Sequence, residues 1–191
     1  IEEGGFGKGA ALRDALAEAR DEGAMCVVLD FGGQVAVRGE CAAVVVGVAD
    51  PRDRQARMAT VNIEAGSAAT SGLSERGVTV DGVRYGHIVD PRDGRPVVDW
   101  GSVTVVADDP LVADCVATAL FVMGPNDGST WAARQPGIEA LFAETSHGEI
   151  RFRGTSGLKS LTSLPQGSEV SWIPDVEVHQ PGPPQPTSRI H

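Results

Sequence analysis

The chain has 191 residues, 41% of them hydrophobic and 22% charged, a size and balance that suit one packed domain. Sixteen Lys and Arg against 26 Asp and Glu leave a net charge of −10. That charge excludes nucleic acid or an anionic membrane held by general electrostatics, while leaving room for a local basic site or a bound cation that handles phosphate. No run approaches the roughly 18 apolar residues of a spanning helix, and the start carries no basic-then-apolar signal segment. The chain opens at Ile1 inside a glycine-rich motif, which reads as the continuation of a longer protein. Cys26, Cys41 and Cys115 are odd in number and none has CxxC spacing, so neither structural disulfides nor zinc are expected.

In chain order, Ala11, Leu12, Ala15, Leu16 and Ala19 share one face of an amphipathic helix that starts from the glycine-rich turn and stops near Gly23. Met25 to Asp30, Gln34 to Arg38 and Ala42 to Val48 read as strands, followed by a turn at Asp50-Pro51-Arg52-Asp53. Met58 to Ile63 is another strand, and Ala65 to Gly72 is a stretch of small residues. Gly77 to Tyr85, with Asp81-Gly82 at its centre, predicts a hairpin. After the turn cluster from Asp90 to Pro96, Ser102 to Ala107 is a short β-branched strand. Asp109 and Pro110 then cap an apolar helix from Leu111 to Met123, stopped by Gly124 and Pro125. A short helix at Ser129 to Arg134 and strands at Ile138 to Ala143 and Ile150 to Phe152 follow. Residues 1–154 are expected to form an α+β domain with a mixed, largely antiparallel sheet and flanking helices. Residues 155–191, with prolines at Pro181, Pro183, Pro184 and Pro186, read as a flexible tail.

Three constellations carry possible chemistry. In Gly4-Gly5-Phe6-Gly7-Lys8-Gly9, backbone amides at a helix start can approach an anion closely, although the Walker pattern fails at Glu2 and Gly9. A glycine turn with no ligand is the alternative. Asp114 and Thr118, four apart on the apolar helix, put a carboxylate and a hydroxyl on one face, where a hard cation would satisfy the buried charge. Alternatively Asp114 meets the positive end of its own helix while Thr118 bonds back to a carbonyl. His87 leaves a strand into a rigid turn, as a general base or as a structural histidine bonded to a carbonyl. Thr70-Ser71-Gly72 offers hydroxyls and amides to phosphate, or is an ordinary turn. No GxSxG elbow supports a serine hydrolase.

Taken together, GGFGKGAAL (4–12), LDFGGQ (29–34), ATSG (69–72), YGHIVDPRDGRP (85–96) and ADCVATALFVMG (113–124) stand in an order that resembles the ApbE-like family, from residue 1 to about Glu144. These are FAD:protein FMN transferases, once called thiamine biosynthesis lipoproteins. The resemblance implies the C-terminal two-thirds of such an enzyme, which cleaves FAD and transfers FMN to a Thr or Ser hydroxyl of a target protein, with AMP leaving and Mg²⁺ required. It implies Asp114, Thr118 and a backbone oxygen of Gly5 as metal ligands. Cofactor contacts are implied at Glu2, Lys8, Thr70, Ser71, Gly72, His87 and Ile88, with His87 the catalytic candidate. FAD pyrophosphatase activity, or a non-catalytic flavin-nucleotide-binding remnant, stays open beside transfer. Expected partners are FAD and flavin-accepting subunits of redox complexes. The resemblance implies an extracytoplasmic, membrane-associated location in bacteria, with a membrane reached only through an upstream anchor; a cytoplasmic location also stays open. Finally, Asp127-Gly128-Ser129-Thr130 resembles the Asp-Gly-x-Thr acceptor sequence of the family's targets, although Asp127 or Ser129 serving as a helix cap is the simpler reading.

Overall fold

The computed structural model describes residues 3–74 and 77–176, with 83 and 84 described by backbone alone. Elements run in the order α1 (Gly7–Asp21), β1 (Cys26–Asp30), β2 (Gln34–Gly39), β3 (Val44–Asp50), β4 (Asp53–Ile63), β5 (Gly66–Gly72), β6 (Gly77–Val80), β7 (Val83–Gly86), β8 (Gly101–Ala107), α2 (Pro110–Ala132), β9 (Ile138–Ser146), β10 (Glu149–Thr155), β11 (Thr162–Ser163) and β12 (Glu169–Ile173). Seven strands form the central sheet in the order β1-β2-β5-β8-β9-β10-β12. Every neighbouring pair is antiparallel except β10 and β12. The expected α+β class with a mixed, largely antiparallel sheet is the class observed.

Alternation along the central strands builds two layers of core. On one face, Ala69, Val103, Val105, Ala140 and Phe142 pack against Ala113, Ala117, Leu120 and Phe121 of α2. On that face too, Leu12 and Leu16 of α1 pack over Ala36. The opposite face, with Val37, Ala68, Leu141, Ala143 and Phe152, is covered by the three-stranded sheet β11-β4-β3. Each fully buried Leu or Phe contributes about 1.5–3 kcal/mol. Because the sheet is covered on both faces, Ala68 and Ala69 are both buried, and the small-residue stretch is a central strand despite its low β-propensity.

Helix α2 starts as its sequence predicts: Asp109 Oδ1 accepts the Leu111 amide at 2.8 Å, and Pro110 occupies the first turn. Gly124, at φ 80° and ψ 170°, interrupts it, and Pro125 restarts it, four residues earlier than the expected second helix. The Trp100 indole donates to the Phe121 carbonyl at 3.0 Å, satisfying an acceptor that the break would otherwise leave exposed. The hairpin expected at Asp81-Gly82 is present as β6 and β7, both turn residues having positive φ.

Two expectations are corrected. Cys26 and Cys41 form a disulfide, with Cα atoms 5.0 Å apart. Antiparallel pairing sets Cys26 opposite Gly39, so the chain just past β2 returns to it. Cys115 remains a free thiol. The flexible tail expected from residue 155 is corrected over 155–176. There β12 pairs in parallel with β10, and β11 adds to β4, with Leu158 fully buried between them in sequence. The prolines from Pro181 to Pro186 lie outside the described residues.

Candidate active site

A cleft of about 1020 Å³ opens beside the start of α1. Its walls are the glycine turn from Gly4 to Lys8, Gly32 of the β1–β2 loop, the end of β5 at Thr70, Ser71 and Gly72, the His87-Ile88-Val89 segment, and Thr118 of α2. Segments from distant parts of the sequence therefore meet around one space.

Helix α1 begins without a cap of its own. Phe6 occupies the cap position with no side-chain cap hydrogen bond, and the first turn has no acid. Asp114, 3% exposed, supplies what is missing from α2: its Oδ2 accepts the Gly9 amide at 2.8 Å. This approach requires glycine, since a Cβ on Gly9 would lie 2.7 Å from Leu111 Cα and 2.8 Å from Asp114 Cβ. The carboxylate thus meets the positive end of α1, a neighbouring helix, rather than only that of its own. Lys8 Nζ stands 3.5 Å from the other oxygen, Oδ1.

One turn further along α2, Thr118 Oγ1 lies 3.4 Å from Ser71 Oγ. Gly5 backs onto the same threonine, and a Cβ there would sit 3.4 Å from Thr118 Cγ2. Of the expected metal ligands, Gly5 and Thr118 therefore meet on the cleft wall, while Asp114, one turn back on α2, is buried against Gly9 and Lys8 and is not a lining residue. Among the described residues no group of three or more His, Cys, Asp or Glu could hold a metal. A cation here would be held by one buried carboxylate and neutral oxygens. Such an all-oxygen, incomplete set fits Mg²⁺, which keeps several waters and takes substrate phosphate.

The other candidates divide. Ser71 points to the helix side of β5, while the Thr70 hydroxyl is 2.8 Å from Thr104 Oγ1, the directly paired position on β8. Successive residues of a strand face opposite sides, so the Thr70 hydroxyl pairs with Thr104 while Ser71 faces Thr118, and both residues border the cleft at the strand end. Gly72 completes the strand end. His87 is exposed and borders the cleft, and Ile88, 9% exposed, borders it while also packing in the core. Beyond them, the Ile88 carbonyl accepts the Val97 amide at 2.9 Å, and the Asp90 amide donates to the Arg95 carbonyl at 2.8 Å. Asp90 binds Arg92 through both carboxylate oxygens, which holds the Asp90 carboxyl down at about 2. These bonds make residues 88–97 a rigid staple behind His87. Glu2 lies outside the described residues.

Phe6, Gly32 and Val89 also line the cleft and were not singled out by the sequence. Their signal lay in the motifs that contain them. The Gly32 amide donates to Asp30 Oδ1 at 2.8 Å, and Thr70 donates its amide to the Gly33 carbonyl, tying this loop to β5. Cys115 does not line the cleft; burial, then the charges of Asp114 and Asp109, push its thiol up. In Asp127-Gly128-Ser129-Thr130, neither Asp127 nor Ser129 is a cap, because the helix restarts at Pro125. Ser129 is fully buried, and the Ser129 and Thr130 hydroxyls both donate to the Asn126 carbonyl.

The fold and cleft define an α+β domain whose site joins a helix start, a buried carboxylate and hydroxyls, a class suited to phosphate-bearing ligands. The chain belongs to the ApbE family, whose model matches residues 1–142. It is 37% identical over 150 residues to an FAD:protein FMN transferase of Rhodobacter capsulatus, covering 77% of this chain and 28% of that protein. The crystal structure of the ApbE protein from Thermotoga maritima superposes with a TM-score of 0.68 at 35% identity, covering 80% of this chain and 48% of that one. The flavin transferase ApbE from Vibrio cholerae gives 0.64 at 26% identity, covering 82% and 51%. The chain thus spans about half of these solved relatives and less of the curated one.

Proposed function

We propose that this chain carries the catalytic half-site of an FAD:protein FMN transferase, moving FMN from FAD to a Thr or Ser hydroxyl of a target protein with release of AMP. The observation that carries the reading is the single cleft in which the glycine turn, Ser71, His87 and Thr118 meet. Asp114, the Thr118 hydroxyl and the Gly5 carbonyl would hold Mg²⁺, which when bound supplies charge neutralisation at the FAD pyrophosphate. Lys8 on the cleft wall, at the positive end of α1, favours a negatively charged group there. Ser71 donates or accepts at the edge of that phosphate position. His87, backed by the 88–97 staple, takes the acceptor hydroxyl's proton as its oxygen bonds to the FMN phosphorus. The bond from that phosphorus to the bridging oxygen breaks, and AMP leaves with the electron pair.

Support for an oxidising, extracytoplasmic location comes from the Cys26–Cys41 disulfide, a type of bond that reducing compartments disfavour. Acceptors of this kind are expected among subunits of redox complexes. The proposal is tested by incubating the protein with FAD, Mg²⁺ and a peptide carrying an Asp-Gly-x-Thr segment, then weighing the peptide and assaying AMP. A mass gain of one FMN with matching AMP supports transfer. FMN and AMP released with the peptide unchanged would replace transfer by pyrophosphatase action, and no turnover would leave a binding remnant.

A further inference from the structure

We propose that Lys8 is an exchangeable counter-ion: it neutralises Asp114 while the site is free of metal, and gives up the carboxylate to a divalent cation, turning into the cleft toward the pyrophosphate. The inference rests on the metal assignment made above and goes beyond it. Asp114 is 3% exposed, and among the described residues two polar partners reach its side chain, the Gly9 amide on Oδ2 and the Lys8 ammonium near Oδ1. The first is backbone, fixed by the helix, and leaves the negative charge in place. The second is a long, flexible side chain, 35% exposed, whose stem lies on the cleft wall. At 3.5 Å it is an ion pair with room to part.

Charge balance gives the exchange its direction. A buried carboxylate needs a positive neighbour, and Lys8 supplies one in the empty site. A divalent cation on the same carboxylate, with Lys8 still beside it, would leave a surplus of two positive charges at Asp114, which Glu3 on the cleft wall offsets only in part. Lys8 therefore withdraws. When the dinucleotide enters, the two negative charges of its pyrophosphate balance that surplus, and the displaced ammonium has a partner on the same wall. The cation and dinucleotide should bind cooperatively, with Lys8 as the moving part.

The composition supplies the test. Lys8 and Lys159 are the two lysines of the chain, and Lys159 is exposed near β11, outside the residues of the cleft. Brief acylation with a water-soluble amine reagent at fixed pH, read by peptide mass spectrometry, gives Lys8 labelling relative to Lys159 as an internal standard. Mg²⁺ alone should raise the ratio severalfold, and FAD added with Mg²⁺ should lower it again. Asp114→Asn should raise the ratio without Mg²⁺ and make it indifferent to Mg²⁺. Calorimetry on the same samples separates the two claims. If Mg²⁺ binds, with heat lost in Asp114→Asn, yet the ratio is unchanged or falls, the exchange is overturned and the metal site stands. If Mg²⁺ gives no heat with or without FAD, both are overturned.

Discussion

Asp114 was legible in the sequence as a buried carboxylate, but its setting was not. Its spacing to Thr118 on an apolar helix marked an unusual buried carboxylate; Thr118 does line the cleft, while Asp114 is buried against Gly9 and Lys8. That the carboxylate also caps α1 was not legible, because nothing local announces a contact 105 residues away. His87 was legible from its turn, but its support was not. The Asp90–Arg92 clamp holds the Asp90 carboxyl at about 2, below the usual 3.8, chiefly through the Arg92 side chain and then its amide. The sign follows: the charged form is favoured by folding, so the contribution is complete above 3.8 and is lost as pH falls through about 2. Carboxyl titration by NMR should find this low midpoint, and Arg92→Leu should move it up toward the ordinary value; an unmoved midpoint would contradict the clamp. For His87 itself, His87→Gln should spare FAD binding yet slow labelling of an acceptor peptide. That loss should shrink as pH rises and the hydroxyl needs less help, whereas equal losses in binding and rate would assign positioning alone.

At the level of elements, periodicity and turn chemistry located α1, the first part of α2 and the β6–β7 hairpin, each carrying strong local signals. Strand β5 was missed. Its sequence, Gly-Ser-Ala-Ala-Thr-Ser-Gly, lacks the bulky alternation of a strand, because it lies at the sheet's centre with close-packed layers on both faces. Where local preference is weak, pairing with β2 and β8 decides. The same missed strand explains the treatment of Thr70 and Ser71 as a unit, since only the pleat separates their hydroxyls. The α1–α2 crossing makes a further prediction. Gly9→Ala would press a methyl onto the Pro110–Leu111 backbone and Asp114, and should destabilise the fold by about 1–3 kcal/mol. It should also push the Asp114 carboxylate off the Gly9 amide. Chemical denaturation checks the first consequence and Mg²⁺ titration the second; a variant of unchanged stability would show that the helices separate freely.

For the whole molecule, the net charge of −10 is compatible with the proposed acidic ligand because a cation, Lys8, stands on the cleft wall at the start of α1, beside the acid Glu3. The disulfide was missed because three cysteines gave no pairing by count, although the β1–β2 register contained the answer. It joins positions 15 apart in the sequence and closes a loop that contains Gly32, which lines the cleft. Paired Cys26→Ser and Cys41→Ser substitutions should cost about 2–4 kcal/mol, seen as a lower Tm that reductant no longer changes. Equal melting of the variant and the oxidised protein would remove the bond from the account. The tail expectation failed from residue 155 because β12 draws its place from parallel pairing with β10, a long-range contact that composition does not encode.

The central claim is that the cleft beside α1 binds FAD together with a divalent cation held at Asp114. Calorimetric titration of FAD with and without Mg²⁺, on the protein and on Asp114→Asn, tests it most directly. The account predicts that Mg²⁺ tightens FAD binding and that Asp114→Asn abolishes the Mg²⁺ effect, with a loss larger than the roughly 1 kcal/mol of one neutral hydrogen bond. FAD binding that is indifferent both to Mg²⁺ and to Asp114→Asn would contradict it.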